Sequence, residues 1–151
     1  MINLKIENIM TKDLIIANIN SSIFDIAQTM KAKDIGFIPI SDKNTIIGVL
    51  TDRDIVVKLI ANKDEKIEGY INKNLIIINI NSSINDVVEL MGEKKVKRLL
   101  VEKNNKLVGV ISLSDILSNL DDDILLKNIR KIFAINRNTD NYLTKINEIE
   151  L

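Results

Sequence analysis

The sequence predicts an α+β protein made of two copies of one strand, helix, strand, strand, helix unit, followed by a helical C-terminal tail. The first observation is that the pentapeptide INSSI occurs at residues 19–23 and again at residues 80–84. Sliding the chain by 61 residues aligns residues 7–55 with residues 68–116 without a gap, and 19 of these 49 positions are identical. The second observation is that the spacing between apolar residues changes in the same order along each copy. We infer that one unit has been duplicated.

Each copy opens with a strand and a helix. Short apolar runs, LIIANI and LIIINI, predict the strands. Ser22 with Asp25, and Ser83 with Asp86, have the spacing of a capping box at a helix start. Apolar residues then recur at i, i+3, i+4 and i+7, which predicts one apolar stripe per helix, packed on a sheet. The stripes are Ile23, Ile26, Ala27 and Met30 in the first copy, and Ile84, Val87, Val88 and Met91 in the second.

A hairpin and a second helix complete each copy. The runs GFIPI and IIGVL, and later KRLLV and LVGVI, are separated by the polar loops SDKNT and EKNNK, which predicts two β-hairpins. Apolar residues of the second helices are Ile55, Val56, Leu59 and Ile60 in the first copy, and Ile116, Leu117 and Leu120 in the second. Because about sixty residues bury little surface alone, we expect the copies to pack face to face about a pseudo-twofold axis.

The predicted domains are repeat 1 over residues 1–61, repeat 2 over residues 62–121 and a helical tail over residues 122–151. Acidic residues open the tail, which predicts an amphipathic helix, and a second short helix is expected after NRNTDN. The apolar stripes are Leu125, Ile129, Ile132 and Phe133, then Tyr142, Leu143, Ile146 and Ile149. These stripes either pack against the two repeats of the same chain or form a dimer contact. The sequence does not distinguish these two alternatives.

Composition excludes several classes of function. Lys+Arg and Asp+Glu both number 21, so no net field attracts nucleic acid or an anionic membrane. No uncharged apolar run approaches the ~20 residues that span a bilayer, and the N-terminus lacks a secretion signal, so we expect a cytoplasmic protein. Cys and His are absent, which removes thiol nucleophiles, disulfides, the usual zinc sites and imidazole-based triads. We therefore expect no catalytic residues, no metal site and no required cofactor.

One motif occurs twice in register, where the third strand meets the second helix. Its pattern is Gly, apolar, any residue, Thr or Ser, any two residues, then Asp, found as GVLTDRD at residues 48–54 and GVISLSD at residues 109–115. A hydroxyl at a strand end and a carboxylate three residues later can face one cleft with the helix amides. The carboxylate can accept hydrogen bonds from both hydroxyls of a ribose. The spacing equally suits caps of the second helices, and both roles can hold at once.

The two motifs within a matching repeat resemble a tandem pair of CBS domains, the regulatory modules named after cystathionine β-synthase. The resemblance covers about residues 5–120. It implies an adenosyl ligand, AMP, ADP, ATP or S-adenosylmethionine, in one or both clefts between the repeats, with its base among apolar strand residues. It also implies a homodimer formed through helices. Any output would act on the protein itself or on an unidentified protein partner.

The resemblance implies different sources of positive charge for ligand phosphates. Lys97 and Arg98 lie at the start of the strand RLLV, where related modules often hold a basic pair that reaches phosphates. The alternative is a solvated strand edge. The first copy has Gly36 and Phe37 at the matching positions and carries Arg53 inside its motif. We therefore expect the two sites to differ in affinity.

Two residues depart from the family pattern. Leu100 stands where such modules have the proline seen at Pro39, so we expect a different backbone path in the second cleft wall. Phe37 narrows the first cleft, stacks on a base, or belongs to the core.

The predicted function is a non-enzymatic sensor of an adenosyl ligand. The alternatives are a structural dimerisation module with vestigial, empty clefts, and an enzyme that uses carboxylates and lysines. The predicted ligand-binding residues are Thr51, Arg53, Asp54, Lys97, Arg98, Ser112 and Asp115.

Overall fold

The computed structural model describes residues 4–119 together with Ile129 and Ile132. The chain divides into two compact units. Residues 13–76 form the first-repeat unit, and residues up to 12 and from 77 onward form the second-repeat unit. None of the helices in the described part of the chain could span a bilayer.

From its first strand onward, each repeat has the predicted order of strand, helix, strand, strand and helix. In chain order they are α1 (Ile6–Ile9), β1 (Ala17–Asn18), α2 (Ile23–Lys33), β2 (Phe37–Asp42), β3 (Thr45–Thr51), α3 (Asp52–Asp54), a π-helix (Ile55–Ile60), a 3₁₀ helix (Ile67–Gly69), β4 (Ile77–Asn79), α4 (Ile84–Lys94), β5 (Arg98–Lys103), β6 (Lys106–Ser112) and α5 (Leu113–Leu117). This is the α+β repeat that the sequence predicts.

Each repeat contains one three-stranded sheet, in the order β1-β2-β3 and β4-β5-β6. The first strand of each sheet runs parallel to the second, and the second and third form an antiparallel hairpin. The first strands are shorter than the apolar runs that predict them. In the first run, Ala17 and Asn18 lie opposite Ile40 and Ser41 of β2, and the Ile19 N–H donates to the Ser41 carbonyl at 2.9 Å where the ladder ends.

The predicted serine caps are confirmed. Ser22 Oγ accepts a hydrogen bond from the Asp25 N–H at 3.1 Å, and Ser83 Oγ accepts one from the Asp86 N–H at 3.1 Å. The capping box is reciprocal in α4 alone of these two helices, because the Ser83 N–H also donates to Asp86 Oδ2 at 2.8 Å. Hydrogen bonds from the Ser83 hydroxyl and N–H hold the pKa of Asp86 below its usual value.

The apolar stripes of α2 and α4 supply much of the core of their units. Their buried residues are Ile23, Ile26 and Met30 in α2, and Ile84, Val87, Val88, Met91 and Gly92 in α4. In the first-repeat unit the α2 stripe packs with strand residues such as Ile38 and Leu50. The expectation that Ala27 belongs to this stripe is wrong, since Ala27 is exposed.

Both predicted hairpins turn through two residues with positive φ. Lys43 and Asn44 have φ of 46° and 66°, and Asn104 and Asn105 have φ of 52° and 60°. Two successive residues of this kind form the tight turn that matches the right-handed twist of paired strands.

The two hairpins have the same register. Pro39 pairs with Val49, and Leu100 pairs with Val110 at the equivalent positions. Each ladder then shifts one residue after the following pair. The expected change of backbone path at Leu100 is therefore wrong.

The segment before each repeat's first strand pairs with the third strand of the other repeat. Thr11, which precedes β1, bridges Val110 in β6 through N–H to O distances of 2.9 and 3.0 Å. Asn72, which precedes β4, bridges Val49 in β3 at 3.0 and 2.9 Å. Each hairpin edge is thereby paired by an incoming segment, which limits its exposure to other chains.

The motif glycines lie where these segments cross the strands. A Cβ on Gly48 would overlap Ile71 Cγ2 and lie 2.8 Å from the Asn72 carbonyl oxygen. A Cβ on Gly109 would lie 2.7 Å from Met10 Sδ and 2.9 Å from the Thr11 carbonyl oxygen. The first residue of the motif is thus glycine because another backbone passes against it.

The second helices differ between the repeats. Both are present as predicted, but the first continues from α3 as a π-helix, whereas the second is the α-helix α5. The Ala61 N–H donates to the Val56 carbonyl at 3.3 Å and the Asp64 N–H to the Leu59 carbonyl at 2.9 Å, each five residues back. Such helices are rare and concentrate near functional sites.

The predicted tail lies outside the described residues except at Ile129 and Ile132, which are helical. Ile132 is buried, in agreement with its place on the predicted apolar stripe.

Candidate functional site

The first motif forms a closed hydrogen-bond ring at the start of α3. Thr51 Oγ1 accepts from the Asp54 N–H at 3.1 Å and donates to Asp54 Oδ2 at 2.7 Å. The Thr51 N–H also donates to Asp54 Oδ2, at 3.1 Å. This is a reciprocal capping box, so the capping role considered for these residues is present.

The second carboxylate oxygen of Asp54 is also occupied. Lys58, one turn along the helix, places its Nζ 2.7 Å from Asp54 Oδ1. The Asp54 side chain is 14% exposed and that of Lys58 is 52% exposed, so the pair lies at the edge of the surface. Partial burial raises the pKa of Asp54, but hydrogen bonds from Lys58 and Thr51 outweigh it and leave the pKa below its usual value.

The second motif has the same ring. Ser112 Oγ accepts from the Asp115 N–H at 3.2 Å and donates to Asp115 Oδ2 at 2.7 Å, and the Ser112 N–H donates to that oxygen at 2.8 Å. Asn119 occupies the position equivalent to Lys58, and its amide donates to the Asp115 backbone carbonyl at 2.8 Å. Among the described residues, Asp115 Oδ1 has no hydrogen-bond or ion-pair partner.

Strand register brings the predicted basic pair to the second motif. Arg98 is the cross-strand partner of Ser112. The carbonyl of Lys97 accepts a hydrogen bond from the N–H of Leu113, the first residue of α5, at 2.8 Å. The four predicted residues of this repeat, Lys97, Arg98, Ser112 and Asp115, therefore meet at one strand and helix junction.

The first motif gathers Thr51, Arg53 and Asp54 at the equivalent junction. Arg53 is exposed, and its N–H donates to Asp52 Oδ1 at 2.7 Å. Phe37 is half-buried and lies opposite Thr51 in the ladder. The roles of these residues in ligand binding stay predictions.

Sequence reasoning missed the contacts of two residues at the first motif, Lys58 and Asp52. Lys58 follows Asp54 by four positions, a spacing that signals a helical ion pair. Asp52 lies beside Gly36, whose carbonyl accepts the Asp52 N–H at 3.1 Å. This second contact joins residues sixteen positions apart, so the local sequence carried no signal for it.

The first-repeat unit also has an open pocket of about 430 Å³ away from the motif. It lies between the residues around the start of α2, from Ile19 to Phe24, and Glu65 to Glu68 around the 3₁₀ helix. None of the predicted ligand-binding residues lines it.

Comparison with protein families gives two matches to the CBS domain, over residues 6–61 and 66–122. The protein YlbB of Bacillus subtilis is 32% identical over 117 residues, which is 74% of this chain and 79% of YlbB. The CBS domain protein TA0289 of Thermoplasma acidophilum superposes with a TM-score of 0.72 at 20% identity, over 85% of this chain and 75% of TA0289. This last likeness concerns the fold.

A solved CBS domain pair, from the protein MJ0100, carries ligands. It superposes with a TM-score of 0.70 at 25% identity, over 76% of this chain and 98% of that pair. That structure is a complex with 5′-methylthioadenosine and S-adenosyl-L-methionine.

Proposed function

The chain belongs to the CBS domain family, and we propose that it is a non-enzymatic sensor of an adenosyl ligand. AMP, ADP, ATP or S-adenosylmethionine would bind at the motif of one or both repeats. The adenosyl compounds bound by the MJ0100 pair support this class of ligand. That the ligand lies between the repeats stays a prediction.

The observation that carries this proposal is the state of the Asp115 carboxylate. Ser112 holds Asp115 Oδ2 through two hydrogen bonds, which fixes the orientation of the carboxylate. Asp115 Oδ1 has no partner within residues 4–119, and the side chain is half-buried. A fixed acceptor of this kind suits the two hydroxyls of a ribose, because charge-assisted hydrogen bonds are strong and Asp115 need not reorganise to form them.

Lys97 and Arg98 would place positive charge beside the same ligand. Register sets Arg98 opposite Ser112, and Lys97 contacts the start of α5 through its carbonyl. A phosphorylated adenosyl ligand at this motif would therefore have its sugar at Asp115 and its phosphate near the basic pair.

Occupancy would act by favouring one arrangement of a homodimer or of a bound protein partner. Such coupling between two binding events is typically about 1 to 3 kcal/mol. It requires only that the ligand bind the two arrangements with different affinity.

Thermal unfolding in the presence of candidate ligands tests the proposal. AMP, ADP, ATP, GTP, NAD and S-adenosylmethionine would be compared on the wild type and on Asp54→Ala and Asp115→Ala. A ligand at a hundred times its Kd stabilises by about 2.7 kcal/mol, which raises the Tm by about 5–10 °C at this chain length. We expect Asp115→Ala to lose more of this shift than Asp54→Ala. A shift that survives both substitutions would locate the site elsewhere.

A second candidate, a structural dimerisation module without ligand, is favoured by one surface. Val56, Val57 and Ile60 of the π-helix are 59%, 52% and 57% exposed. Exposed apolar residues grouped on one helix are typical of association surfaces. Sedimentation of the wild type and of a Val57→Lys, Ile60→Lys variant would test self-association. A dimer lost in the variant, with no Tm shift for any ligand, would favour this candidate over the sensor.

A further inference from the structure

The two repeats differ in the charged residues that they carry at one structurally equivalent junction. In each repeat, the N–H of the first residue of the second helix donates to the carbonyl of the residue before the hairpin. Asp52 donates to the Gly36 carbonyl at 3.1 Å, and Leu113 donates to the Lys97 carbonyl at 2.8 Å. The backbones at positions 52 and 36 are therefore in direct contact, as are those at 113 and 97.

In the first repeat this place holds a carboxylate. Gly36 has no side chain, and a Cβ there would lie 2.7 Å from Asp52 Oδ2 and 3.0 Å from Asp52 Cγ. The Asp52 carboxylate thus occupies the space beside position 36 where a side chain would begin. In the second repeat the equivalent position carries the side chain of Lys97, and Leu113 is buried at 4% exposure.

The charged residues around the first motif offer a phosphate no net positive charge. Lys58 is 2.7 Å from Asp54 Oδ1 and is neutralised by that carboxylate. Arg53 lies between Asp52 and Asp54 in the chain, so the four charged residues Asp52, Arg53, Asp54 and Lys58 sum to zero. The first repeat has no counterpart of the basic pair, since Gly36 and Phe37 stand at the positions of Lys97 and Arg98.

We infer that the first motif selects adenosyl ligands without phosphate, whose 5′ substituent is neutral or cationic, such as a thioether or a sulfonium. The inference rests on the proposed function, because it assumes that adenosyl ligands bind at the motifs. The family resemblance places ligand phosphate near positions 97 and 98, which correspond to positions 36 and 37 beside Asp52. Asp52 would repel a phosphate there and attract a sulfonium or an amine.

The expected discrimination is measurable. AMP carries nearly two negative charges at pH 7.5, since the second phosphate pKa is about 6. Repulsion between these charges and one carboxylate about 6 Å away in a solvated site corresponds to a roughly tenfold difference in Kd.

Calorimetric titration of the Asp115→Ala variant isolates the first motif. Adenosine, 5′-methylthioadenosine, S-adenosylmethionine and AMP would be compared at pH 7.5 and low salt. We expect the first three to bind about tenfold more tightly than AMP. Adding Asp52→Asn should strengthen AMP binding about tenfold and change the Kd of adenosine by less than about twofold. Raising the NaCl concentration to about 0.5 M should reduce the discrimination, because the charges are solvent-exposed.

Two further variants keep the test decisive. Glu68→Gln removes one exposed carboxylate of the same unit outside the motif, and AMP affinity should not respond to it. Asp115→Asn replaces Asp115→Ala if the alanine variant is not folded by circular dichroism, because the amide can still accept from Ser112.

Each outcome has a separate meaning. Equal affinities for AMP and adenosine that do not respond to Asp52→Asn would overturn this inference and leave the proposed function intact. Adenosyl binding by the wild type with none by either Asp115 variant would also overturn it, since the first motif would then be no site. Failure of every adenosyl compound to bind the wild type would overturn the proposed function itself.

Discussion

The two repeats have the same strand order, register and capping rings, yet the aspartates of their motifs are in different states. Asp54 is held on one oxygen by Thr51 and on the other by Lys58. Asp115 is held on one oxygen by Ser112, and its other oxygen has no partner among the described residues. A duplicated backbone thus supports two different chemical environments, because single substitutions around the aspartate change its partners without changing the fold.

The comparison also separates structural residues from residues that could bind a ligand. Gly48 begins the first motif and Gly109 begins the second. They have the same role, since the backbone of another segment approaches each of them closely. The residues that differ include Lys58, which contacts the Asp54 carboxylate, and Gly36 and Asp52, which contact each other at the start of α3. Residues that agree between the repeats should therefore determine the fold and the carboxylate that both motifs share, and residues that differ should determine which ligand each motif prefers.

The largest expected effect on stability comes from adding a methyl group to the motif glycines, where the backbone of another segment lies close. Gly48→Ala should destabilise the protein by about 3 kcal/mol, because its methyl group would meet the Asn72 backbone as well as a side chain. Gly109→Ala should destabilise by about 2 kcal/mol. Urea unfolding would measure both. Gly69, which has nothing within 4 Å of an added Cβ, gives the control, and Gly69→Ala should stay within about 0.5 kcal/mol of the wild type. Equal stability of Gly48→Ala and Gly69→Ala would contradict the close approach.

The next effect concerns the capping rings. Thr51→Ala and Ser112→Ala should each destabilise by about 1 kcal/mol through loss of the hydroxyl that caps the helix. Ser112→Ala should cost more, because Asp54 keeps Lys58 whereas Asp115 has no second partner among the described residues. Thr51→Ser, which keeps the hydroxyl, is the control and should be close to the wild type. A larger loss for Thr51→Ala would mean that Lys58 does not support Asp54.

Local sequence signals predicted the parts of the fold that depend on neighbours in the chain. The caps Ser22 and Ser83, the two hairpins and the motif rings all follow from spacings of two to four residues. The short first strands were overestimated, because an apolar run is a strand only where a partner strand pairs with it.

Contacts between distant residues could not be predicted from such spacings. The crossings of Thr11 over β6 and of Asn72 over β3 join segments far apart in the chain, as does the contact of Asp52 with Gly36. The Lys58 ion pair is different, since its spacing from Asp54 was visible and was overlooked. The π-helix had no local signal, because its apolar pattern also fits an α-helix.

A smaller effect on stability should appear at acidic pH. Because the pKa of folded Asp54 is lowered, its stabilising contribution is complete above the unfolded pKa of about 3.9 and is lost as the pH falls through the folded value. Wild type should therefore lose more stability than Asp54→Asn between about pH 5 and pH 3, by less than about 1 kcal/mol. Urea unfolding across this range would measure the difference. Identical pH profiles would show that Asp54 does not titrate below its usual range.

The smallest expected effect on stability comes from Lys58→Met. This variant is also the most direct test of the difference between Asp54 and Asp115. Methionine keeps the aliphatic stem and removes the ion pair, so stability should fall by only about 0.3–0.5 kcal/mol. The pKa of Asp54 should rise, which a carboxyl carbon NMR titration would follow, because hydrogen bonding from Lys58 opposes the effect of burial. Lys31→Met on α2 is the control and should leave that pKa unchanged. If an adenosyl ligand binds at the first motif, Lys58→Met should also strengthen its binding, since the ribose then no longer competes with Lys58 for Asp54 Oδ1. An unchanged pKa would mean that the ion pair does not persist in solution, and the main difference between the two aspartates would disappear with it.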